Sequence, residues 1–508
     1  MISSVLTKRK SVVILFLFFL ALGTFLRFYR LRSTMQFLGD QGRDALIARG
    51  ILMDRDPAFI GPVTSVGNMY LGPFYYYFMV LPLMLSYPDP SGPAYAVAFV
   101  GVVTLALLFV LGKELVGEKT ALLAMGLYAI APIVIENVRF SWNPNIVPLF
   151  SLLVLWAVNK TMQGKYQYWV LIGLCAAILS QLHYLTLIVI GIAGIFWLVQ
   201  LYRQIKFKSV SPIFIRSTGL AILIVMLSVI PILIYDVKHD FLNVRAFLSF
   251  FVGGSSADDA SHFRGFGELS AVFYAWIALA VRNVSEIFGI RIPNSAALFS
   301  LLVGIYLVVK TWFNLRSQSP ELRRGIKLLI AFFVIGIGVL SFYKESIFNH
   351  YLGFLFPISV LLLSVFLSTL WKSILLRPLV LVFVGAIVFF SFQNYPGQHI
   401  LGMNVDVFKQ TADEIKKRTI PGEQYDILLL SENNDFLGMN YRYFLTTSKD
   451  RPASEEDVHS FKRLFVIDEA HKENPLDTPQ YKIAIWPNRD IIDAFSIKHG
   501  PNVVMLVR

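Results

Sequence analysis

The segment 39–44 (GDQGRD) places acidic side chains beside an arginine shortly after the first long apolar run of the chain. A carboxylate such as Asp40 can act as a general base, and the forked guanidinium of Arg43 can bind an anion such as a phosphate. The alternative interpretation is structural, with Asp40 capping the helix predicted for DALIARGILM. Asp54 and Asp56 resemble a metal-binding DxD pair, but a cation site needs more oxygen ligands than these two carboxylates supply.

Other polar and aromatic residues interrupt the apolar sequence in a way that could build a site. They form the segments 139–145 (RFSWNPN), 181–184 (QLHY), 344–345 (KE) and 350–351 (HY). Each has a structural explanation, because Trp and Tyr are common at the membrane interface, Pro ends helices, and single His residues often form caps. Their shared location on one predicted face instead favours a site or a pathway. The sequence contains no Walker loop and no HExxH, GxSxG or helix-opening GxGxxG motif.

The composition indicates a membrane protein. The 508 residues are 56% hydrophobic and 15% charged, whereas soluble domains are usually ~25% charged. In a soluble protein a net charge of +12 would suggest a nucleic-acid partner, but here it indicates membrane orientation, and we expect no nucleic acid. The single cysteine, Cys175, excludes an intrachain disulfide framework and a cysteine-based zinc site.

Eleven apolar runs are long enough, or nearly so, to cross a bilayer as helices of about 20 residues. The first run, at residues 11–29, follows three basic residues, and we interpret it as an uncleaved span whose basic end lies in the cytoplasm. The others lie at residues 94–112, 120–137, 146–159, 168–182, 185–201, 212–235, 294–313, 326–343, 350–371 and 378–394.

Two further stretches, 72–88 and 268–290, are aromatic and interrupted by proline or by charged residues. Such helices favour the membrane interface over the membrane core. If both lie at the interface, every short basic loop falls on the inner side, as the positive-inside rule requires. We therefore predict two long outer loops, at about residues 31–93 and 236–293.

The composition changes after Asn394. Residues 395–508 are polar and alternate a helix-like segment (DVFKQTADEIKKR) with strand-like segments (YDILLLS, RLFVID and VVMLVR), which predicts a small α/β domain. The predicted fold is an α-helical polytopic membrane domain at residues 1–394, with about 11 transmembrane helices plus interfacial helices. The C-terminal α/β domain is expected to be extracytoplasmic.

The order of these motifs resembles that of the GT-C class of integral-membrane glycosyltransferases. The likeness is to the bacterial protein O-mannosyltransferase and lipid A aminoarabinose transferase branch, and it covers roughly residues 1–394. Asp40 and Arg43 match the D-E-x-R-(Y/F) motif that follows the first span in that family. Residues 72–77 match (K/G)-P-x-x-Y-Y, and the segment 344–357 resembles K-x(5,6)-Y-x-L-x-x-x-P through Lys344, Tyr351, Leu352 and Pro357. The R-x-x-WNPN and QLHY segments resemble a bacterial subgroup.

Three residues depart from the family pattern. Gln41 stands where the family has Glu, Gly72 where some relatives have a phosphate-contacting Lys, and Asn143 where many relatives have Asp before Pro. If both carboxylates of the first motif were essential, the change at Gln41 would count against activity. The phosphate contact of the missing lysine must come from another residue.

The resemblance implies a role for each matching residue. Asp40 is the expected catalytic carboxylate. The donor phosphate is expected to be bound by Arg43, Arg139, Lys344, His350 and Tyr351. The sugar and acceptor pocket is expected to contain Asp44, Tyr75, Tyr76, Trp142, Asn143, Asn145, His183 and Tyr184. No cofactor is expected, and a metal ion is not favoured.

The implied function is transfer of a sugar, with inversion, from a polyprenyl-phosphate donor of the undecaprenyl or dolichyl type. The acceptor would be a hydroxyl on a lipid, glycan or protein at the outer face of the cytoplasmic membrane. One alternative is a transporter or flippase of lipid-linked saccharides, whose polar residues should line a path through the bilayer. Another is a membrane-anchored sensor with a ligand-binding tail. The polar clusters in this sequence lie in outer loops, which favours the enzyme.

Overall fold

Helices dominate the computed structural model, which describes residues 2–64, 69–252, 262–293, 296–432, 435–447, 450–454, 460–472, 474–478, 480–484 and 490–507. The helices up to residue 182 are α1 (Ile2–Phe28), α2 (Leu31–Thr34), α3 (Gly39–Arg49), α4 (Phe74–Ser86), α5 (Ser91–Val116), α6 (Glu118–Ile130), α7 (Pro132–Asn137), α8 (Val147–Thr161) and α9 (Tyr168–Leu182). Those that follow, up to the tail, are α10 (Leu187–Lys206), α11 (Pro212–Ser228), α12 (Ile230–Lys238), α13 (Leu242–Val252), α14 (Leu269–Glu286), α15 (Ala297–Leu315), α16 (Pro320–Ser341), α17 (Phe356–Trp371) and α18 (Arg377–Gln393).

Over the residues that the structure describes, which exclude 294 and 295 of the span predicted at 294–313, each of the eleven predicted spans falls on one helix or on two helices separated by a short break. Within the described ranges, six helices are long and apolar enough to cross a membrane, or seven if the bent pair α11 and α12 forms one span. The helical membrane fold is therefore confirmed, whereas the count of eleven stays a prediction. Helices such as α8 and α9 have just 15 residues each, which is shorter than the usual span.

The two stretches predicted to lie at the membrane interface are helical. They form α4 and α14. Contrary to the expected interruption, α4 continues through Pro82, although this helix has 13 residues and is about 20 Å long. The hydrocarbon core of a bilayer is about 30 Å thick, so α4 is too short to cross it alone. Its location at the interface stays a prediction.

Two buried arginines bind carbonyl groups at the ends of helices. The break between α6 and α7 follows from Pro132, which has no N–H to donate to the carbonyl of Tyr128. Arg27 of α1 donates instead to the carbonyl oxygens of Tyr128 and Ala129, each at 3.2 Å. Arg139, which follows α7, donates back to the carbonyl oxygens at the end of α1, those of Leu26, Arg27 and Tyr29, at 2.9, 3.0 and 2.8 Å. These bonds fix the end of α1 against the α6–α7 break.

The polar tail contains a four-stranded sheet with helices, as the predicted α/β pattern requires. Its elements are α19 (Val405–Lys416), β1 (Tyr425–Leu430), α20 (Met439–Leu445), β2 (Arg463–Asp468), α21 (Tyr481–Ala484), β3 (Asp490–Ser496) and β4 (Asn502–Val507). The strand order is β1-β2-β4-β3, with β1 and β2 parallel and the other pairs antiparallel. Strands β1 and β2 are buried along their whole length, and each contains four consecutive apolar residues, at 427–430 and 464–467, as is usual for strands covered on both faces. Strand β3, which the sequence did not predict, is a largely exposed edge.

The tail packs on α3, the helix that carries the acidic motif. A Cβ added to Gly42 would lie 2.4 Å from the backbone nitrogen of Asn440 in α20, so any side chain larger than that of glycine would prevent this approach. Helix α20 is itself held to β1 by a buried ion pair between Arg442 and Asp426, at 2.5 Å. The position of α3 is therefore tied to the sheet of the tail through α20.

Aromatic and charged contacts extend the same interface. The ring of Phe37, just before α3, packs edge-on against Tyr443 and Phe444 of α20, with centroids 5.9 and 6.0 Å apart. Arg32 in α2 forms ion pairs with Asp89 at 2.7 Å and with Asp406 of the tail at 2.6 Å. The tail and the first long loop thus form one packed unit.

We expect Gly42→Ala to lower the thermal stability of the protein and to loosen the tail from α3. The new methyl group would meet backbone atoms of α20, and overpacking of this kind typically costs about 1–3 kcal/mol. Gly50→Ala is the matched control, because a Cβ at Gly50 meets nothing within 4 Å. Melting temperatures and the rate of proteolytic release of the tail provide the measurement. Equal values for the two variants would contradict the close packing at Gly42.

Candidate functional site

The acidic motif occupies the first turns of α3. The helix begins at Gly39, and Leu38 is the N-cap residue, so the interpretation of Asp40 as the cap is wrong. The side chain that caps the helix is Gln41, whose Oε1 accepts a hydrogen bond from the backbone N–H of Leu38 at 2.9 Å. Asp40 is therefore not used in capping, and its carboxylate is half exposed, at 50%.

Arg43 lies between two carboxylates of the same helix. Its Nη1 donates to Asp40 Oδ1 at 2.9 Å, and its Nη2 and Nε donate to Asp44 Oδ1 at 2.8 and 3.1 Å. The arginine side chain is 28% exposed, while Asp44 is fully buried. The buried carboxylate of Asp44 holds the guanidinium in place, and the exposed carboxylate of Asp40 accepts a hydrogen bond from its solvent-facing side.

Burial raises the pKa of Asp44 to about 6, although the charge of Arg43 and its hydrogen bonds act in the opposite direction. Burial also opposes the charge on Arg43, but the two carboxylates outweigh it and raise the arginine pKa. Both groups are therefore ionised near pH 7. Among the described residues, Asp44 Oδ2 has no hydrogen-bond partner within normal distance. Tyr76 lies beside this pair, and burial followed by the charge of Asp44 raises the pKa of its hydroxyl.

Helix α4 joins the acidic motif to the segments 139–145 and 181–184. Tyr75 is buried, and its hydroxyl is 2.8 Å from the hydroxyl of Ser141. Gln181 Oε1 accepts a hydrogen bond from the first N–H of α4, that of Phe74, at 3.2 Å. A Cβ at Gly72 would lie 2.3 Å from the Gln181 side chain. The glycine at position 72 therefore lets the QLHY segment cap α4, at a place where some relatives have lysine.

Rings from three segments that are far apart in the sequence form one cluster, which we call the ring cluster. The centroids of Trp142 and His350 are 4.4 Å apart, and those of His350 and Tyr351 are 4.5 Å apart. His183 stacks on Tyr184 at 4.6 Å and lies 5.1 Å from Tyr351. The structure thus brings together five residues that the sequence assigned to the site from positions about 200 residues apart.

His183 is neutral in this environment. Burial, and then the neighbouring His350, lower its pKa to about 3. Its Nδ1 accepts a hydrogen bond from the backbone N–H of Leu185 at 3.2 Å, which places the proton on Nε2. The ring therefore supplies a neutral N–H donor to the cluster and cannot balance the charge of a phosphate near pH 7.

Four other predicted site residues have contacts that position loops. The donors of Arg139 are directed to the end of α1, and Lys344 forms a partly exposed ion pair with Glu268 at 3.4 Å. Asn143 donates to the carbonyl oxygen of Leu182, and Asn145 donates to that of Phe140 at 3.1 Å. The structure does not place these four side chains in contact with Arg43, and their assignment to phosphate or sugar stays a prediction.

Two arginines that were not among the predicted site residues position the loop between α16 and α17, at residues 342–355, which we call the late loop. Arg282 of α14 donates to the carbonyl oxygen of Ile347 and to Asn349, both at 2.7 Å, directly before His350. Arg264 donates to the carbonyl oxygens of Ser341 and Tyr343 at 2.8 and 2.5 Å. The signal for this role in the sequence is the charge of Arg282 within an apolar run, because a buried or half-buried arginine needs hydrogen-bond partners.

No group of three or more His, Cys, Asp or Glu in the described ranges could hold a metal ion. Two cavities found in the structure lie away from the acidic motif. One, of about 270 Å³, is in the tail against residues 422–424 and 450–454. The other, of about 160 Å³, lies at the opposite end of the helices, near residues 116–120 and 365–372.

The comparisons with known proteins identify the class that the fold and the motifs define. A model of the dolichyl-phosphate-mannose-protein mannosyltransferase family matches residues 72–235 of the chain. No curated protein sequence matches it. Together with the structures below, the family match confirms the resemblance to GT-C class glycosyltransferases.

The solved structures define the fold more closely. ArnT from Cupriavidus metallidurans bound to undecaprenyl phosphate matches with a TM-score of 0.57 and 15% identity, over 96% of this chain and 97% of ArnT. The apo state of the same ArnT gives 0.57 and 14%, over 98% of each chain. The oligosaccharyltransferase AglB from Archaeoglobus fulgidus, in complex with an inhibitory peptide and a dolichol-phosphate, gives 0.50 and 11%, over 94% of this chain and 71% of AglB. The chain therefore has an ArnT-like fold from end to end.

The raised pKa of Asp44 leads to a prediction about pH and stability. The folded protein keeps a proton on Asp44 up to about pH 6, whereas the unfolded chain loses it near about pH 4. The stabilisation from this carboxyl is therefore complete below about pH 4 and is lost as the pH rises through about 6.

Melting temperatures of the wild type and of Asp44→Asn, measured from about pH 7.5 to about pH 5, test this prediction. The melting temperature of the wild type minus that of Asp44→Asn should increase as the pH falls, because the aspartate takes up a proton and the asparagine does not titrate. Taking the difference between the two proteins removes the effect of most other titrating groups. A difference that is independent of pH would show that Asp44 has an ordinary pKa.

Proposed function

We propose that the protein is a membrane glycosyltransferase that moves a sugar from a polyprenyl-phosphate donor to an acceptor hydroxyl. The observation that carries the proposal is the arrangement of Asp40, Arg43 and Asp44 at the start of α3, in a chain with the fold of ArnT. It supplies an accessible carboxylate and a fixed cation side by side. The solved structures of ArnT and AglB contain undecaprenyl phosphate and dolichol-phosphate, respectively, and the proposal extends a donor of that kind to this chain.

Asp40 is the proposed general base. Its half-exposed carboxylate takes the proton of the acceptor hydroxyl as the oxygen attacks the anomeric carbon of the sugar. The bond between that carbon and the phosphate oxygen breaks, and the electron pair leaves with the polyprenyl phosphate. Attack from the face opposite the phosphate inverts the anomeric centre. The proposed reaction needs no nucleotide sugar, and a metal ion is not favoured.

Arg43 is the proposed partner of the donor phosphate. The buried Asp44 fixes the guanidinium through Nη2 and Nε, and the remaining N–H groups lie toward the exposed side near Asp40. A cation held in advance near the leaving oxygen stabilises the negative charge that develops there without reorganisation. Because Gly72 stands where some relatives have a lysine, we assign the main phosphate contact to Arg43. His350 and Tyr351, which contact each other in the ring cluster, are proposed as further partners of the phosphate.

The departures from the family pattern are compatible with this mechanism. Gln41 accepts a backbone hydrogen bond at the start of α3, and the carboxylate oxygen of a glutamate could accept the same bond. The amide of Asn143 donates to a carbonyl oxygen, which an ionised aspartate could not do. In this chain, therefore, neither position has to supply an acid to the reaction.

The ring cluster is the proposed surface for the sugar and the acceptor. Aromatic faces pack well against the C–H face of a sugar ring, and the neutral N–H of His183 can donate to a sugar hydroxyl. Tyr75 and Tyr76 lie between the cluster and the acidic motif. Under the predicted topology all of these groups are at the outer face of the cytoplasmic membrane, together with the tail.

We expect Asp40→Asn to reduce the rate of sugar transfer from a polyprenyl-phosphate sugar by about 10²–10⁴-fold, which is the usual contribution of a general base. Asp56→Asn is the matched control, since Asp56 is an exposed acid in the same loop. Both variants should be produced and should unfold like the wild type. Transfer by Asp40→Asn at the rate of the control would exclude Asp40 as the base.

The topology can be tested by labelling single cysteines, because Cys175, the one cysteine of the sequence, is buried. We expect a cysteine at Lys417 in the tail to react with a membrane-impermeant maleimide in intact cells. A cysteine at the exposed Lys165, in a predicted inner loop, should react only when the membrane has been permeabilised. Labelling of Lys165→Cys in intact cells would contradict the predicted orientation.

A further inference from the structure

Three of the predicted inner loops meet at the end of the helices opposite the acidic motif. The segments 116–120, 311–326 and 365–372 enclose a cavity of about 160 Å³ between α5, α6, α15, α16 and α17. Its lining contains four hydroxyl groups and two amides, from Thr120, Thr311, Ser368, Thr369, Asn314 and Gln318. The charged residue in the lining is Lys372, and none of the lining residues is acidic.

One of the hydroxyl groups in this cavity is buried without a partner. Thr311 is 2% exposed, and its Oγ1 forms no hydrogen bond with any described residue. A buried hydroxyl that lacks a hydrogen bond is destabilising. This cost would be offset if a ligand in the cavity accepted the hydrogen bond.

The charges around the cavity favour an anion. Arg323 donates to the carbonyl oxygens of Leu315, Arg316 and Gln318, so it shapes the wall instead of facing a ligand. Lys372 has no ion-pair partner in the part of the chain that the structure describes and lies just after the end of α17. Its charge is therefore available to a ligand.

The start of α6 adds a second attraction for negative charge. Thr120 is in the first turn of this 13-residue helix, where backbone N–H groups lack partners within the helix and the helix dipole is positive. The same turn contains Glu118 and the adjacent Lys119, whose opposite charges balance, and neither residue lines the cavity. Its hydroxyl donates to that of Ser368 in α17 at 3.2 Å, which holds the two walls together. A phosphate at this place would meet a helix N-terminus, hydroxyl groups and an ammonium group, the usual partners of bound phosphates.

From this combination we propose that the cavity binds a phosphate group, either the head group of an anionic phospholipid or a free phosphate. The proposal is independent of the transfer reaction at Asp40. The apolar part of the lining, which includes Val116, Leu322, Ile326 and Val365, suits the glycerol end of a lipid better than a small ion. In the predicted topology the ligand would come from the inner leaflet, to which the basic loops also belong.

The test measures thermal unfolding of the full-length protein in detergent with three probes added separately. The probes are dioctanoyl phosphatidylglycerol, inorganic phosphate, and dioctanoylglycerol, which has the same chains without a phosphate. We expect phosphatidylglycerol to raise the melting temperature in a saturable way, and dioctanoylglycerol to raise it less. Saturation by inorganic phosphate at a similar concentration would identify a free phosphate as the ligand, and saturation by the lipid alone would identify the head group.

Two variants and one control assign the effect to the cavity. Lys372→Gln should raise the half-saturating concentration about tenfold, as expected for one lost charged hydrogen bond. Thr311→Val should raise it about fivefold by the same reasoning, while the protein without ligand stays at least as stable because an unpaired hydroxyl is removed. Lys165→Gln, at an exposed lysine of another predicted inner loop, should leave it unchanged.

The proposal would be overturned if neither phosphate probe stabilised the protein more than dioctanoylglycerol. It would also be overturned if Thr311→Val responded to both phosphate probes as Lys165→Gln does, because the binding would then lie outside the cavity. If Lys372→Gln does not fold, the comparison of Thr311→Val with the wild type still decides the question. None of these outcomes depends on sugar transfer.

Discussion

The ion pair between Arg43 and the buried Asp44 is the constraint on which the candidate site depends. Removing one partner of this pair would leave the charge of the other without compensation at a largely buried position, which is destabilising. Arg43 therefore has to stay over Asp44 on the same helix, and its remaining N–H groups meet Asp40 at the surface. The proposed base and the proposed phosphate-binding cation are thereby kept adjacent before any substrate arrives, which is the preorganisation that catalysis of group transfer needs.

The surrounding elements keep α3 in the position that this pair requires. The tail contacts Gly42 through α20, and α20 is held by the buried Asp426, which binds both Arg442 and Lys482. Arg282 and Arg264 fix the late loop, which carries two rings of the ring cluster, those of His350 and Tyr351. The tail and these two arginines thus contribute to the candidate site by positioning, although their side chains are not the ones assigned to the chemistry.

Much of the fold followed from local sequence patterns. The apolar runs predicted the helices because burial in a bilayer requires long apolar segments, and the alternating pattern after Asn394 predicted strands in the tail. The prediction of a shared site for Trp142, His183 and His350 depended on loops lying on one side, and the structure places their rings together. What could not be predicted depends on contacts between distant segments. The buried role of Arg27, the close approach at Gly42 and the edge strand β3 have no local signature, and the helix cap at Gln41 was one residue from the expected Asp40.

The most direct test of the central claim is a structure of the full-length protein bound to a polyprenyl phosphate. The account predicts that the phosphate oxygens lie within hydrogen-bond distance of the Arg43 guanidinium, with Asp40 facing the side from which an acceptor would approach and the lipid chain running between helices. A phosphate bound at the outer face but away from Arg43, with the pair of Arg43 and Asp44 undisturbed, would contradict it.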